Sequence, residues 1–519
     1  MKDIEFILGT MVGVIFVFMV VVVVGSSMIY YSWIQRSLII DFFRPDRPNS
    51  IPELLLQAHK EKKEQQKYKI APQKRKKITE EPHGVILGRT ERDGTVFYSP
   101  EMEEGNIFVS GFPGTGKTAG ILIPTLLNFK GRVFCIDISG DISSIVKRPG
   151  QYNYRPEEGI GKYDVFFGVK HAKSRAERLE QLALIAQLIM PTPKNADSNN
   201  KFFRDNGRAM LNACLIYYYQ KGYEFGEMCL EITKMSAEEL LNMLMSVEEE
   251  YQDYILPLIS CFIGANEKNT QGCKGDMDDA IKFFATNENV RRTLCSAGAG
   301  KKCIAPQLLE IFDMFIIIPQ QKLETYQPLL RLITGQILNF FTSRPLNAKR
   351  SILLALDEFG RFGYVAGIVD ALGTLRKRKV RVLIMTQTIP DLDGVYGMAD
   401  REAILGNCAF RVCLGAMDKT TQEYFSFAAG KHYKTRYGAN MSGNNGDRYS
   451  LNEQKEDIIE PADLAYIQSK NKLLVLTPQG YLLLTKFLWY KEPLCRRWIE
   501  NNKARIMALR NKQQKKGTK

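Results

Sequence analysis

Metal-binding and disulfide signatures are what this chain has least of. Its 519 residues hold only four histidines, His59, His83, His171 and His432, and ten cysteines scattered from Cys135 to Cys495 without one CxxC pair. Neither a zinc site nor a disulfide framework is indicated, which fits a reducing compartment for most of the chain. No internal repeat is present, so a solenoid or propeller is excluded. Charge is unevenly missing: between Phe6 and Gln35 there is no charged residue. Elsewhere composition is globular, with 45% hydrophobic and 25% charged residues, and a formal net charge of +14 favours contact with nucleic acid or an anionic membrane surface. The length exceeds one ordinary core and implies two to four folded units.

The apolar stretch from Phe6 to Tyr31 would extend about 39 Å as a helix, enough to cross a bilayer with some tilt. A cleaved signal peptide is the rival reading, but its apolar region is usually about 7 to 15 residues long behind a basic leader. Here Lys2 is balanced by Asp3 and Glu5. Residues 1–35 are therefore expected to be an uncleaved N-terminal transmembrane helix. Arg36, Arg44, Arg47 and the tract KEKKEQQKYKIAPQKRKK follow it, which by the positive-inside rule keeps the bulk of the chain in the cytosol. Residues 36–90 read as a basic juxtamembrane linker that either solvates or touches acidic lipids.

NIFVSG (106–111) and RVFCIDISGD (132–141) read as buried strands separated by the helical spacing of TAGILIPTLLNF, the first steps of a doubly wound α/β unit. From 174 to 299 the periodicity is helical throughout, as an all-α insertion would be. Strand signals return in MFIIIP, SILLALDE, VRVLIMTQ, FRVCLGA and KLLVLTPQGYLLLTKF, implying a parallel sheet covered on both faces. The nucleotide-binding domain is thus expected in two parts, 91–173 and 300–492. GANMSGNNGDRYS (438–450) reads as a loop, and 493–519 as a basic, frayed tail.

GFPGTGKT, Gly111, Phe112, Pro113, Gly114, Thr115, Gly116, Lys117 and Thr118, satisfies G-x-x-x-x-G-K-[ST] between a strand and a helix. In that setting successive backbone N–H groups converge on phosphate oxygens, Lys117 would reach the β and γ phosphates, and Thr118 would ligate Mg²⁺. SILLALDEFG delivers Asp357 and Glu358 to a strand's C-terminal edge, Asp357 for the Mg²⁺ shell and Glu358 to orient or deprotonate the attacking water. Gln387, ending the next strand, either senses the γ-phosphate or caps a helix or loop. LRKRKVR gathers Arg376, Lys377, Arg378, Lys379 and Arg381; these form a solvated basic face or, in a ring of subunits, supply a cation to a neighbour's site. ATP and Mg²⁺ are the expected cofactors.

With these motifs in order, the sequence resembles the type IV secretion coupling proteins of the TraG and TraD class. The match runs from about Glu104 to Lys491 and includes GFPGTGKTAGILIPTLLNFKGRVFCIDISGD, KFFRDNGRAMLNACLIYYY, LALDEFGRFG, LRKRKVRVLIMTQTIPDLDGVYG and LLVLTPQGYLLL. The resemblance implies a RecA-like P-loop NTPase domain with an inserted all-α domain, anchored in the bacterial inner membrane and assembled as a homo-hexamer. It implies an ATPase that passes single-stranded or double-stranded DNA, or protein, to a type IV secretion channel, with relaxase or effector adaptors as partners. It gives the phosphates to Gly111, Gly114, Gly116, Lys117 and Thr118, metal and water to Asp357 and Glu358, sensing to Gln387 and an arginine finger acting in trans to Arg376. The chain departs from the family pattern at Ser139, Gly140 and Asp141, where Lys-Gly-Glu is usual, and in having one apolar span where many members have two. Two other readings are an FtsK-type DNA translocase and a membrane receptor that recruits secretion substrates without pumping.

Overall fold

Strands buried along their whole length can sit only where both faces of a sheet are covered, and NIFVS, DMFII, ILLAL and VRVLIMT, buried at every position, organise this molecule. The computed structural model describes residues 82–100, 105–192, 198–296, 303–440 and 448–517. The expected membrane helix, and the linker up to residue 81, lie outside them. Among the described residues no helix is long and apolar enough to cross a membrane.

Thirteen strands occur among these residues: β1 (Gly84–Arg89), β2 (Val96–Pro100), β3 (Asn106–Ser110), β4 (Arg132–Asp137), β5 (Gln151–Tyr154), β6 (Asp313–Ile317), β7 (Ile352–Leu356), β8 (Val380–Thr386), β9 (Cys408–Cys413), β10 (Lys431–Asn440), β11 (Arg448–Asp457), β12 (Lys472–Thr477) and β13 (Gly480–Thr485). Eleven form one sheet in the order β2-β1-β13-β12-β9-β3-β8-β7-β4-β6-β5. The seven from β9 to β5 are mutually parallel. At the β9 edge the sheet turns antiparallel through β12, β13, β1 and β2. The sheet is therefore mixed, not parallel throughout. KLLVLTPQGYLLLTKF is the reason: it folds back on itself between Thr477 and Gly480, two strands where an unbroken apolar pattern suggests one.

The direction of travel fixes the crevice. The chain leaves β3 for β4 on one side and returns β6→β7→β8→β9 in the opposite sense. Right-handed crossovers then place the helix Ile123–Asn128 on one face and the helices Gln327–Thr342, Ile368–Leu375 and Pro390–Gly406 on the other. A switch of this kind between β3 and β8 opens a cleft at their C-terminal ends.

From Arg175 to Thr293 the described residues contain helices and no strand. The first, Arg175–Ile189, begins at Ser174, whose hydroxyl accepts from the Glu177 amide. It rests on Gln327–Thr342 at Gly335, where a Cβ would stand 2.4 Å from a Leu188 methyl, so a larger residue there would displace that side chain. The C-terminal segment is helical from Pro493 to Gly517, not frayed; its alanine, methionine, leucine, lysine and arginine are strong helix formers, and its start packs beside Ile123–Asn128. A second compact unit among the described residues is the hairpin β10–β11, with Lys431 paired to Asp457 and Asn440 to Arg448. Its strands cover part of the expected 438–450 loop, of which 441–447 lie outside the described residues.

At the sheet's N-terminal edge a buried Arg148 guanidinium donates to Asp313 Oδ2 at 2.9 Å and to the carbonyls of Leu126, Phe129 and Gly131 at 2.6, 2.6 and 2.7 Å. Replacing Arg148 with Met leaves Asp313 in the interior with a weaker partner, Arg132 at 3.7 Å. We expect Arg148→Met to lower the unfolding free energy by about 3–5 kcal/mol, read as a fall in the denaturant midpoint at unchanged slope.

Candidate nucleotide site

The loop after β3 is shaped by its own hydrogen bonds. Thr115 folds back, its Oγ1 and N donating to the Phe112 carbonyl at 2.8 and 3.2 Å. Gly114 and Gly116 have φ of 83° and 91°, the left-handed region that glycine occupies without strain. A Cβ at Gly111 would meet Thr115 Oγ1 at 2.6 Å. Phe112 is half-buried and Pro113 exposed. The helix that follows opens with a π-turn over Thr118–Leu122 before Ile123–Asn128 continues it. Its first-turn amides face the cleft, as an anion-binding N-terminus requires.

Five side chains converge here from the ends of three parallel strands. Lys117 is buried, its Nζ donating to the Gly111 carbonyl at 2.5 Å and standing 3.6 Å from Glu358 Oε1. Thr118 Oγ1 approaches Asp357 Oδ2 at 3.5 Å. Gln387 Nε2 donates to Glu358 Oε2 at 3.0 Å. Glu358 is held in the left-handed region, φ 54°, with its amide donating to Asp357 Oδ1 at 3.1 Å. A non-glycine residue there stores backbone strain, and here the strain aims one carboxylate at Lys117 and Gln387 while the other faces Thr118. Burial, with the neighbouring Glu358 charge second, pushes the Asp357 carboxyl up to about 7. A hydroxyl and a carboxylate oxygen placed this close are hard donors of the kind Mg²⁺ takes alongside water and phosphate.

Other sequence candidates are placed elsewhere. Gln387 does not cap the following helix, its side chain going to Glu358; the Asp391 carboxylate, in that helix's first turn, reaches back to accept from the amides of Gln387 and Thr388 at 3.1 and 2.9 Å. Arg376 and Lys377 are exposed at the N-terminal end of β8, the far edge of the sheet from Lys117. β8 itself separates Arg376 from Gln387 by roughly 20 Å, so Arg376 does not join the other candidates within one chain. Arg378 donates to the Arg344 carbonyl. Arg381 is buried and ties β8 to the β2–β3 connection through Gly105 O and Pro100 O, both at 2.9 Å, and Ser99 Oγ at 2.7 Å. It is a structural bracket, not part of a solvated basic face.

At Ser139, Gly140 and Asp141 the turn is built around Asp137. Its Oδ1 accepts from the Ser139 and Gly140 amides at 3.2 and 2.8 Å and its Oδ2 from the Ser143 amide at 2.8 Å. Gly140, at φ 76°, makes that wrap possible.

Lys486 is the residue that motif reading misses. It follows β13, is buried, and donates from Nζ to the Thr115 carbonyl at 2.7 Å, bracing the phosphate loop from below. Burial lowers its pKa from the usual lysine value. Beside it Leu488 lies against Gly116 and Gly120, and the Trp489 amide donates to Ala119 O at 3.0 Å. The only hint in sequence was one lysine inside the apolar run YLLLTKF.

A mixed α/β sheet with a phosphate loop after one strand and an acidic pair ending a nearby parallel strand defines the RecA-like P-loop NTPase fold. Solved structures of the plasmid coupling protein TrwB share it: the complex with ADP and Mg²⁺ superposes with a TM-score of 0.61 at 20% identity, covering 81% of this chain and 92% of that one. The TrwB complex with a non-hydrolysable ATP analogue gives 0.62 at 19% identity, covering 81% and 93%. The chain belongs to the type IV secretory system conjugative DNA transfer family, whose model matches residues 56–519. It is similar to VirD4 of Rhizobium rhizogenes, 22% identical over 409 residues that cover 74% of this chain and 58% of that protein. It is also similar to the conjugal transfer protein TraG of Agrobacterium fabrum (strain C58 / ATCC 33970), 21% identical over 401 residues that cover 73% and 60%. The chain thus spans about three fifths of the length of these curated relatives.

Lys486→Met is expected to weaken binding of a fluorescent ADP analogue by about tenfold, one charge-assisted hydrogen bond's worth. Lys486→Arg should recover most of it.

Proposed function

We propose that this chain is the ATPase motor of a type IV secretion system, coupling a nucleoprotein or protein substrate to the secretion channel and driving its transfer by ATP hydrolysis. The observation that carries the reading is the meeting of Lys117, Thr118, Asp357, Glu358 and Gln387 in one cleft at the C-terminal edge of β3, β7 and β8. Family membership and the nucleotide complexes of TrwB support it.

ATP would lie with its phosphates in the loop Gly111–Thr118, and Lys117 would move from the Gly111 carbonyl onto the β and γ phosphates. Thr118 and Asp357 would hold Mg²⁺, which supplies charge neutralisation at the phosphates when bound. Glu358 would accept a proton from the attacking water, and Gln387, already bonded to it, would report the γ-phosphate to the helix Pro390–Gly406. Arg376 completes no site in its own chain; at the far sheet edge it would serve a neighbour in a homo-hexameric ring. Residues 1–35 would anchor the ring in the inner membrane, with a linker that ends before β1 begins at Gly84 and the bulk of the chain cytosolic. Residues 91–173 and 300–492 would form the motor, the 174–299 helices would receive relaxase or effector adaptors, and 493–519 would form the basic C-terminal end. DNA, single- or double-stranded, would be gripped by its backbone, independent of sequence.

Lys117→Ala should abolish phosphate release while far-ultraviolet circular dichroism stays unchanged; persistent turnover would defeat the assignment. Glu358→Gln should keep nucleotide affinity and lower kcat by about 100-fold or more. Mixing Lys117→Ala with Arg376→Ala chains should restore part of the turnover each lacks, because the mixed ring contains interfaces with both groups intact. No recovery on mixing would remove Arg376 from the mechanism.

A further inference from the structure

At the edge of the sheet opposite the phosphate loop, a groove of about 1270 Å³ runs between the starts of β4 and β6 and the helix Pro493–Gly517. That volume exceeds the roughly 300–1,000 Å³ of small-molecule sites, so a segment of polymer fits it better than a metabolite. Its charge is one-sided. Asp313 is its single carboxylate and is already engaged by Arg148 and Arg132. Lys130 and Lys147 on one wall, and Lys503, Arg505 and Arg510 on the other, are exposed and form no ion pair among the described residues.

The groove's polar atoms point the same way. Trp498 and Asn128, 4% and 8% exposed, line it with an indole N–H and a carboxamide N–H that lack any acceptor, and Arg132 Nε–H lacks one too. Buried donors without acceptors are costly, and all three orphans in this wall are donors. What an occupant meets is the exposed cations, so its complement is rich in negative charge. A bilayer is a plane and cannot enter a concavity between a sheet edge and a helix. Of the groove's aromatic rings Phe129 and Trp498 are buried and Phe312 is half-buried, so contact would fall mainly on phosphates.

We infer that this groove binds the phosphodiester backbone of a nucleic-acid strand without regard to base sequence. From Trp498 to Arg510 the helix offers about 18 Å of wall to follow successive phosphates. The inference rests on the reading of this chain as a motor for a nucleic-acid substrate, and it adds a grip on the substrate remote from the hydrolysis site.

The test uses the full-length chain in detergent and a fluorescein-labelled single-stranded 20-mer of mixed sequence, with anisotropy read at 50 and 200 mM salt. The triple variant Lys503→Glu, Arg505→Glu, Arg510→Glu should bind at least about tenfold more weakly. Its plot of log affinity against log salt should be shallower by roughly two, the share of three phosphate contacts on a single strand. Lys130→Glu with Lys147→Glu, on the opposite wall, should act in the same direction, so the test survives if one variant melts early. Wild-type affinity and slope in both variants would overturn the inference. So would variants that lose binding only to phosphatidylserine vesicles or to polyglutamate, which would make the groove a lipid or acidic-peptide site. Phosphate release is measured alongside. Wild-type protein that binds DNA through these residues but never turns over ATP sinks the motor reading and leaves the groove standing; normal turnover with indistinguishable DNA binding sinks the groove alone.

Discussion

The parallel pairing of β3 with β8 sets the geometry of everything around the cleft. Ile107 lies opposite Leu383 and Ser110 opposite Thr386, so the next residue of each strand emerges at the same level: the phosphate loop from one, Gln387 from the other. β7, pairing with β8 on its far side with Leu356 opposite Ile384, brings Asp357 and Glu358 out within two residues of that level. A shift of one residue would turn each strand's side chains to the opposite face. Because both faces are buried, the register is held by packing along the full length of each strand, and polar groups can gather only where the strands end.

Charge is distributed to match. The C-terminal edge carries Lys117, Asp357, Glu358 and Asp137, all buried, and Lys486 beneath them. Such burial is tolerable because each group faces a partner: a carbonyl for either lysine, a ring of amides for Asp137, an amide and a hydroxyl for Asp357. Burial, with the Glu358 charge beside it, pushes the Asp357 carboxyl up. The opposite edge holds two satisfied clusters, Arg148 with Asp313 and three carbonyls, and Arg344 with Glu310 and the carbonyls of Arg350 and Arg378.

Much of this was legible before any coordinates. Wholly apolar pentads such as ILLAL betray a strand with no solvent face, and a phosphate-gripping loop between strand and helix names its own role. The acidic pair was readable because two carboxylates directly after such a strand have nowhere to go but the edge. What escaped notice had weaker local signals. QYNY, as β5, has no apolar run because it is the outermost strand. The hairpin of β12 and β13 hid inside a continuous hydrophobic stretch. Lys486 and Asp391 owe their positions to residues far away in sequence or to a turn whose acceptor could equally have been Gln387. Arg381 looked like one more member of a basic run, and only its depth separates it from Arg376.

Lys486, Leu488 and Trp489 hold the loop at 111–120 from more than 360 positions later in the chain. A ribosome therefore releases the phosphate grip long before the residues that brace it have been made. During synthesis the loop stays incomplete until Trp489 has emerged, so a product ending before it lacks the brace under its phosphate loop.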